Sequence, residues 1–283
     1  MRNLLFSVIF SITYLPSLFA QDIHQIKLYA DDQFTCGNYQ IALKEFQRVL
    51  FFDSVKQYTD IYLKIATIHF LRENFQNAIK YYNMAWNVEK SDSIKCELIF
   101  LKSLCHFKLS AYFEALNELL GLPENDSSFF RDKRNLFFGI CYYGLNEYKT
   151  SFGYFAQLAD SSGARELSAL YSEFDKIQRK YDPDKVEIMS LLLPGSGQIY
   201  AGKIGSGLNS FILTGSIIVY GVLTAANYGI IDGIFVLNSW FLRYYHGGAK
   251  NAAAIARKKI NKTKSENYTK ILEILGKHSN YRI

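Results

Sequence analysis

The sequence has little with which to do chemistry. None of its four cysteines, Cys36, Cys96, Cys105 and Cys141, forms a CxxC pair, and none has a histidine at metal-ligand spacing. No two of the histidines His24, His69, His106, His246 and His278 stand at ligand spacing either. There is no GxSxG or HExxH string. Gly195-Ser196-Gly197 meets neither the GxxxxGK[ST] phosphate loop nor a GxGxxG following a strand. These absences argue against an enzyme and against any metal, nucleotide or other cofactor. The cysteines are expected to be small buried helix residues, and His69 a packing or surface residue of a helix.

Charge is also missing where a nucleic-acid binder would need it. Net charge is +6, but Gly247 to Ile283 alone carries nine Lys/Arg against Glu266 and Glu273. The rest of the chain is therefore near −1. A basic tail beside apolar segments points to a bilayer with anionic headgroups rather than to nucleic acid.

What is present is a repeat. Gly37-Asn38-Tyr39-Gln40-Ile41-Ala42 leads to Phe46, and Glu73-Asn74-Phe75-Gln76-Asn77-Ala78 leads to Tyr82 and Ala85. Ser110-Ala111-Tyr112-Phe113-Glu114-Ala115 leads to Leu119, and Asn146-Glu147-Tyr148-Lys149-Thr150-Ser151 to Phe155. The small residues Ala42, Ala78, Ala115 and Ser151 are 36, 37 and 36 apart. A fixed period of this size marks stacked helix pairs. The aromatic after each turn plugs the junction, the small residue lets helices approach, and the next aromatic falls on the same face. Ala30, Ala66, Ser103 and Gly139 are the matching small residues of the first helices.

This pattern resembles the tetratricopeptide repeat, whose usual period is about 34, although the family's tryptophan and terminal proline are missing. The resemblance covers Asp22 to Tyr181 and implies a concave wall that includes Phe70, Phe100, Leu104, Phe107, Leu136, Ile140 and Tyr143. That wall is apolar and aromatic. It implies either a groove for an apolar or helical segment of a partner protein, or a groove already filled by the chain's own helices. A further helix, Ala164 to Lys180, is expected to cap the array, and Asp182-Pro183-Asp184 ends it.

The stretch around which the rest is organised is Leu191 to Tyr245. Ser206 to Ala226 carries no charge over 21 residues, about the ~20 that cross a hydrocarbon core as a helix. Gly229 to Tyr245 is a second apolar run, with Asp232 near its start and Arg243 near its end. Together they are expected to form a membrane hairpin, the alternative being a buried helical pair. Asp232 is expected to be an interfacial helix-start residue. Pro194, Gly195, Gly197, Gln198, Tyr200, Gly202 and Gly207 precede and enter the first run in a PGxGQxYxGxxxxG string. That string resembles the signature of small TM2-like hairpin domains of bacterial membrane proteins. From the residues themselves, Gly202 and Gly207 would permit close helix packing, and Gln198 and Tyr200 would suit a membrane boundary.

The N-terminus has the form of a secretory signal: Arg2, an apolar Leu4 to Tyr14, Pro16, then Leu18-Phe19-Ala20 before Gln21. It resembles signals of Bacteroidota-type bacteria, either cleaved or kept as an anchor. Asp53-Ser54-Val55 and Asp92-Ser93-Ile94 resemble O-glycosylation sites of such envelopes.

The expected organisation is all-α: signal peptide 1–20, TPR-like helical repeat array 21–181, glycine motif with helical membrane hairpin 182–246, basic C-terminal helix 247–283. The expected location is the cell envelope, in the inner membrane with the repeats on the periplasmic side. Two spans would return the basic tail to that same side, against the positive-inside rule. The expected function is a scaffold or adaptor that binds a partner protein in envelope assembly or secretion. The alternative is a membrane-active biogenesis factor in which the hairpin is the working part.

Overall fold

A computed structural model describes residues 22–122 and 128–278. The signal-like segment lies outside the described residues. The chain is all-α, with no strand among the described residues. Its contacts divide it into two compact units, between Glu147 and Tyr148.

The first unit consists of α1 (Ile23–Thr35), α2 (Tyr39–Phe52), α3 (Asp60–Leu71), α4 (Phe75–Val88), α5 (Asp92–Lys108), α6 (Tyr112–Leu119) and α7 (Ser128–Gly144). Successive helices pack on one another in pairs. Asp22 caps α1 by accepting from the His24 N–H at 2.9 Å. The α1–α2 turn is a Schellman closure: Asn38 N–H donates to the Gln33 carbonyl, and Gly37 N–H to that of Phe34.

The same two bonds recur at Asn74 and Glu73, at Ala111 and Ser110, and at Glu147 and Asn146. At each turn one residue is left-handed: Gly37 (φ +78), Glu73 (+57), Ser110 (+56) and Asn146 (+67). Ala30, Ala42, Ala66, Ala78, Ser103 and Ala115 are all 0 % exposed, so the periodic small residues do lie at helix contacts. Phe46, Val49, Ile61, Ile65 and Ile68 close around the first pair, and Tyr82, Ala85, Leu98 and Cys105 around the second.

The second unit holds α8 (Tyr148–Ala156), α9 (Ser161–Lys180), α10 (Pro183–Leu192), α11 (Ser196–Tyr200), α12 (Ile204–Tyr228) and α13 (Ile230–Val236). A π-helical segment, Leu237–Phe241, then joins α13 to the 37-residue α14 (Leu242–His278). Asp160 caps α9 through the Ser162 and Gly163 N–H groups. Asp182 caps α10, with Pro183 in the first turn, where the missing N–H costs nothing. The Asp182-Pro183 break is thus a junction inside this unit, since α9 and α10 both pack against α14.

The second apolar run differs from expectation. It is not a helix ending near Tyr245 but the start of a rod that continues from α13 to His278. Only ten residues, 233–242, separate Asp232 from Arg243, about 15 Å of charge-free helix against the ~30 Å of a hydrocarbon core. Among the described residues, one helix is long and apolar enough to cross a membrane: Ile204–Tyr228.

Helix α12 and the rod run antiparallel, their facing positions equidistant from Gly229. A Cβ on Gly233 would lie 2.5 Å from the Ala225 Cβ, one on Gly221 2.7 Å from the Leu237 Cγ, and one on Gly248 2.5 Å from the Ser210 Oγ. Asn251 Nδ2 donates to Ser206 Oγ at 3.1 Å. Small residues thus set the spacing along most of the contact.

Candidate functional site

The glycine motif folds into a tight knot at the foot of α12. Leu193 ends α10, and Gly195 turns the chain with φ +88. A Cβ on Gly195 would lie 2.1 Å from the Gly207 carbonyl oxygen, and one on Gly207 2.5 Å from that of Gly195. The first and last glycines of the string are therefore in backbone contact, which a side chain on either would prevent. Gly197 passes between α10 and α14, its missing Cβ 2.2 Å from the Val186 carbonyl oxygen. Gly202 differs, since φ +90 rather than close approach requires glycine there. Pro194 is half-buried beside the turn.

Gln198 offers no surface of its own to lipid or water: it is 0 % exposed. Its Oε1 accepts from Ser190 Oγ at 2.7 Å, and its Nε2 donates to the Gly248 carbonyl at 2.8 Å. Ser190 Oγ in turn accepts from the Gly197 N–H at 3.0 Å. One amide thereby ties α10, α11 and α14 together and satisfies polar groups that burial would otherwise leave unpaired. Ser196 Oγ donates to the Met189 carbonyl at 2.6 Å, and Tyr245 OH to that of Leu191. Val186, Ala201, Ala252 and Ala256 form the apolar centre of this foot.

Tyr200 is half-buried above that centre, its ring centroid 6.0 Å from that of Tyr181. Three ammonium groups surround the pair. Lys259 Nζ is 3.8 Å from the Tyr181 ring centre, Lys180 Nζ 5.4 Å from it, and Lys185 Nζ 5.7 Å from that of Tyr200. Lys259 also lies 3.5 Å from the Ala201 carbonyl. Its hydrogen bond to the Tyr181 hydroxyl, aided by its charge, holds that phenol below its ordinary value. The sequence placed Lys259 in the basic tail, in the run Arg257-Lys258-Lys259, but did not bring it together with Lys180, Lys185 and the two tyrosines; 78 residues separate Tyr181 from Lys259.

Asp232 lies exposed in the first turn of α13, three residues past Gly229. Around it the chain presents a long apolar surface: Leu208, Phe211, Ile212, Val219, Val222 and Leu223 on α12, and Ile230, Ile231, Ile234 and Phe235 on α13, are each more than half exposed.

In the first unit the expected wall residues are distributed differently from one another. Phe100 is 1 % and Tyr143 4 % exposed, so neither offers a surface to a partner. Phe100 is covered by Phe130 and Phe137, at ring distances of 6.4 and 5.1 Å, and by Lys133 Nζ at 4.6 Å. Phe107 packs on Tyr112 and Phe137, and Phe70 on Phe75. Phe70, Leu104, Phe107, Leu136 and Ile140 remain half-buried. His69 is 8 % exposed and stacks on Tyr81, and burial, then the Arg72 charge, lowers its pKa.

A feature the sequence reading missed joins α1 to α3. Lys27 lies 2.8 Å from Asp31 and 3.0 Å from Asp60, while Lys64 lies 2.6 and 2.9 Å from the same two carboxylates. Burial works against both charges, yet the hydrogen bonds outweigh it: Lys27 is raised and Asp60 lowered.

Three of the cysteines are buried and Cys36 is exposed. Burial pushes the Cys105 and Cys141 thiols up to about 12, far from a reactive thiolate. Asp53 is buried, its carboxylate accepting from the Gln57 and Tyr58 N–H groups, while Ser54 and Ser93 are exposed. Among the described residues no three metal-ligating side chains cluster.

No family model, curated protein or solved structure matches the chain.

Proposed function

We propose that the chain is a non-enzymatic, membrane-anchored scaffold of the bacterial envelope. In this reading α12 and the first part of the rod enter the bilayer as a hairpin, and the helix pairs before them form a tetratricopeptide-like array outside it. The observation that carries the proposal is the surface of α12. Its most apolar 18 residues have a mean hydropathy of 1.6, and only 11 % of those residues are buried by the rest of the chain. At about 25 cal/mol per Å² such a surface is costly in water, and lipid is the solvent that removes the cost.

Supporting the hairpin is the pairing about Gly229, along which glycine and alanine take the close contacts, as between membrane helices. From Ser206 to Gly229 an arm measures about 35 Å, enough for a ~30 Å hydrocarbon core. Arg243 then stands about 20 Å from the turn, within snorkelling reach of the nearer surface. Supporting the array are the four Schellman turns and the buried small residues at its period.

The partner surface of the array is the half-buried set Phe70, Leu104, Phe107, Leu136 and Ile140, which suits an apolar or helical segment of another protein. Periplasmic placement and export through residues 1–20 belong to the same proposal.

Extraction of membranes with alkaline carbonate tests the anchor. The full-length chain should stay in the pellet, and a variant with α12 replaced by a flexible polar linker should appear in the supernatant. Full-length protein released by carbonate would refute the anchor. Protease protection in spheroplasts tests the side: the array should be cleaved, with intact spheroplasts excluding the protease from the cytoplasm.

A further inference from the structure

We propose that Lys180, Lys185 and Lys259, with Tyr181 and Tyr200, form a seat for the phosphate of an anionic phospholipid. This inference rests on the membrane reading above and names the lipid chemistry that the foot of the hairpin recognises.

Three cations converge on two phenol rings at 3.8 to 5.7 Å, and none of them makes an ion pair within 4.0 Å among the described residues. Asp182 and Asp184 are neighbours in sequence, but the Asp182 carboxylate accepts from the Asp184 N–H instead. Cations gathered without a counter-ion repel one another, and an anion between them reverses the sign of that interaction. The tyrosines add hydroxyl donors and the amphipathic rings favoured at headgroup depth.

The position along the hairpin fits. Lys259 lies thirty residues past Gly229, about 45 Å along the rod. A bilayer measures ~40–45 Å with its headgroups. With the Gly229 turn in one headgroup layer, the three lysines reach the other.

The acyl chains also have a surface. On α10, Ile188 and Leu192 follow Lys185 by three and seven residues and share its face. They are 56 % and 82 % exposed. Their depth follows from the bond between Tyr245 OH and the Leu191 carbonyl. Tyr245 is sixteen residues past Gly229, about 24 Å, inside the hydrocarbon layer. A free phosphate ion would engage the lysines alone and make no use of Ile188 and Leu192. A phospholipid covers both.

The test uses the full-length chain in a non-ionic detergent with equal amounts of phosphatidylglycerol and phosphatidylcholine, bound lipid being counted by native mass spectrometry. The expected result is preferential retention of phosphatidylglycerol. The triple substitution Lys180→Gln, Lys185→Gln, Lys259→Gln should reduce that preference at least about tenfold, taking ~1 kcal/mol per cation near a surface. The triple Lys262→Gln, Lys270→Gln, Lys277→Gln removes equal charge from exposed positions of α14 about 50 Å or more past the Gly229 turn, beyond the headgroups, and should retain it. The double Lys180→Gln, Lys185→Gln leaves the Lys259 contacts intact and should still reduce the preference, guarding against a folding effect. Millimolar inorganic phosphate should leave the lipid bound. Equal loss in both triples, no loss in the first, or displacement by inorganic phosphate would overturn the proposal. Wild-type protein that pellets through carbonate yet shows no lipid preference refutes this inference alone; wild-type protein in the supernatant refutes the membrane reading itself.

Discussion

Two glycines ten residues or less from each other should respond to the same substitution with opposite signs. At Gly197 an added methyl would sit 2.2 Å from the Val186 carbonyl oxygen, 2.5 Å from Ser190 Oγ and 3.1 Å from the Ala252 Cβ. The nearest of these is backbone of α10, so relief requires a helix to retreat by about 1 Å, since relaxed contacts begin near 3.5 Å. Such overpacking costs about 1–3 kcal/mol, and the displaced Gly197 N–H to Ser190 bond adds roughly 1. Alanine's better helix propensity offsets only about 0.5–1 kcal/mol. At Gly205, in the first turn of α12, nothing lies within 4 Å of the new methyl, so only the propensity gain remains. In thermal melts of the detergent-solubilised chain followed by circular dichroism, Gly197→Ala should lower Tm by roughly 4–8 °C and Gly205→Ala raise it by about 1–3 °C. A neutral Gly197→Ala, or shifts of equal sign and size, would refute the packing of the knot.

Gln198→Leu should destabilise by about 2–4 kcal/mol, because it leaves the Gly248 carbonyl and the Ser190 hydroxyl buried without that partner; unchanged chemical denaturation of the solubilised protein would contradict the bridge. Ser110→Gly relieves a left-handed residue, worth about 1–2 kcal/mol less the glycine's unfolded-state entropy of ~0.5–1, and should raise Tm slightly; a lower Tm would exclude the left-handed turn. The square of Lys27, Asp31, Asp60 and Lys64 makes a pH prediction. Asp60 is lowered in the fold, so its contribution is present above its unfolded value near 3.8 and is lost as pH falls through the folded one. Lys27 is raised, so its contribution is complete below 10.5 and is lost as pH rises past the folded value. The Tm difference between wild type and Asp60→Asn should therefore be flat at neutral pH and shrink at both extremes. Because these side chains are partly exposed, the plateau should be a few tenths of a kcal/mol; a difference that grows on acidification would refute the ion square.

Particular residues mark how far the sequence reaches. Gly37 announces a turn because glycine tolerates positive φ, whereas Glu73 and Ser110 adopt the same conformation and announce nothing by type. Only their place in the period reveals them. Phe100 has the spacing of a wall residue, yet Phe137 of the next helix but one covers it; which neighbour reaches a position depends on helix packing that spacing does not encode. Gln198 has an amphipathic side chain that would suit an interface. Its partners, eight and fifty residues away, are what bury it. The second apolar run shows the same limit: its composition marks it as a span, but it continues as helix through the basic tail.

By itself, the sequence determined that the chain is helical, where the turns recur, and that Ser206 to Ala226 is free of charge long enough to cross a bilayer. These are properties of neighbours within one or two helical turns, and local spacing suffices to express them. Tertiary structure alone decided that the glycine motif is a packing knot, that its glutamine is a buried bridge, and that Lys180, Lys185 and Lys259 share one place. Those outcomes depend on groups brought together from distant parts of the chain, and it is the removal of water between helices that makes their hydrogen bonds and charges count.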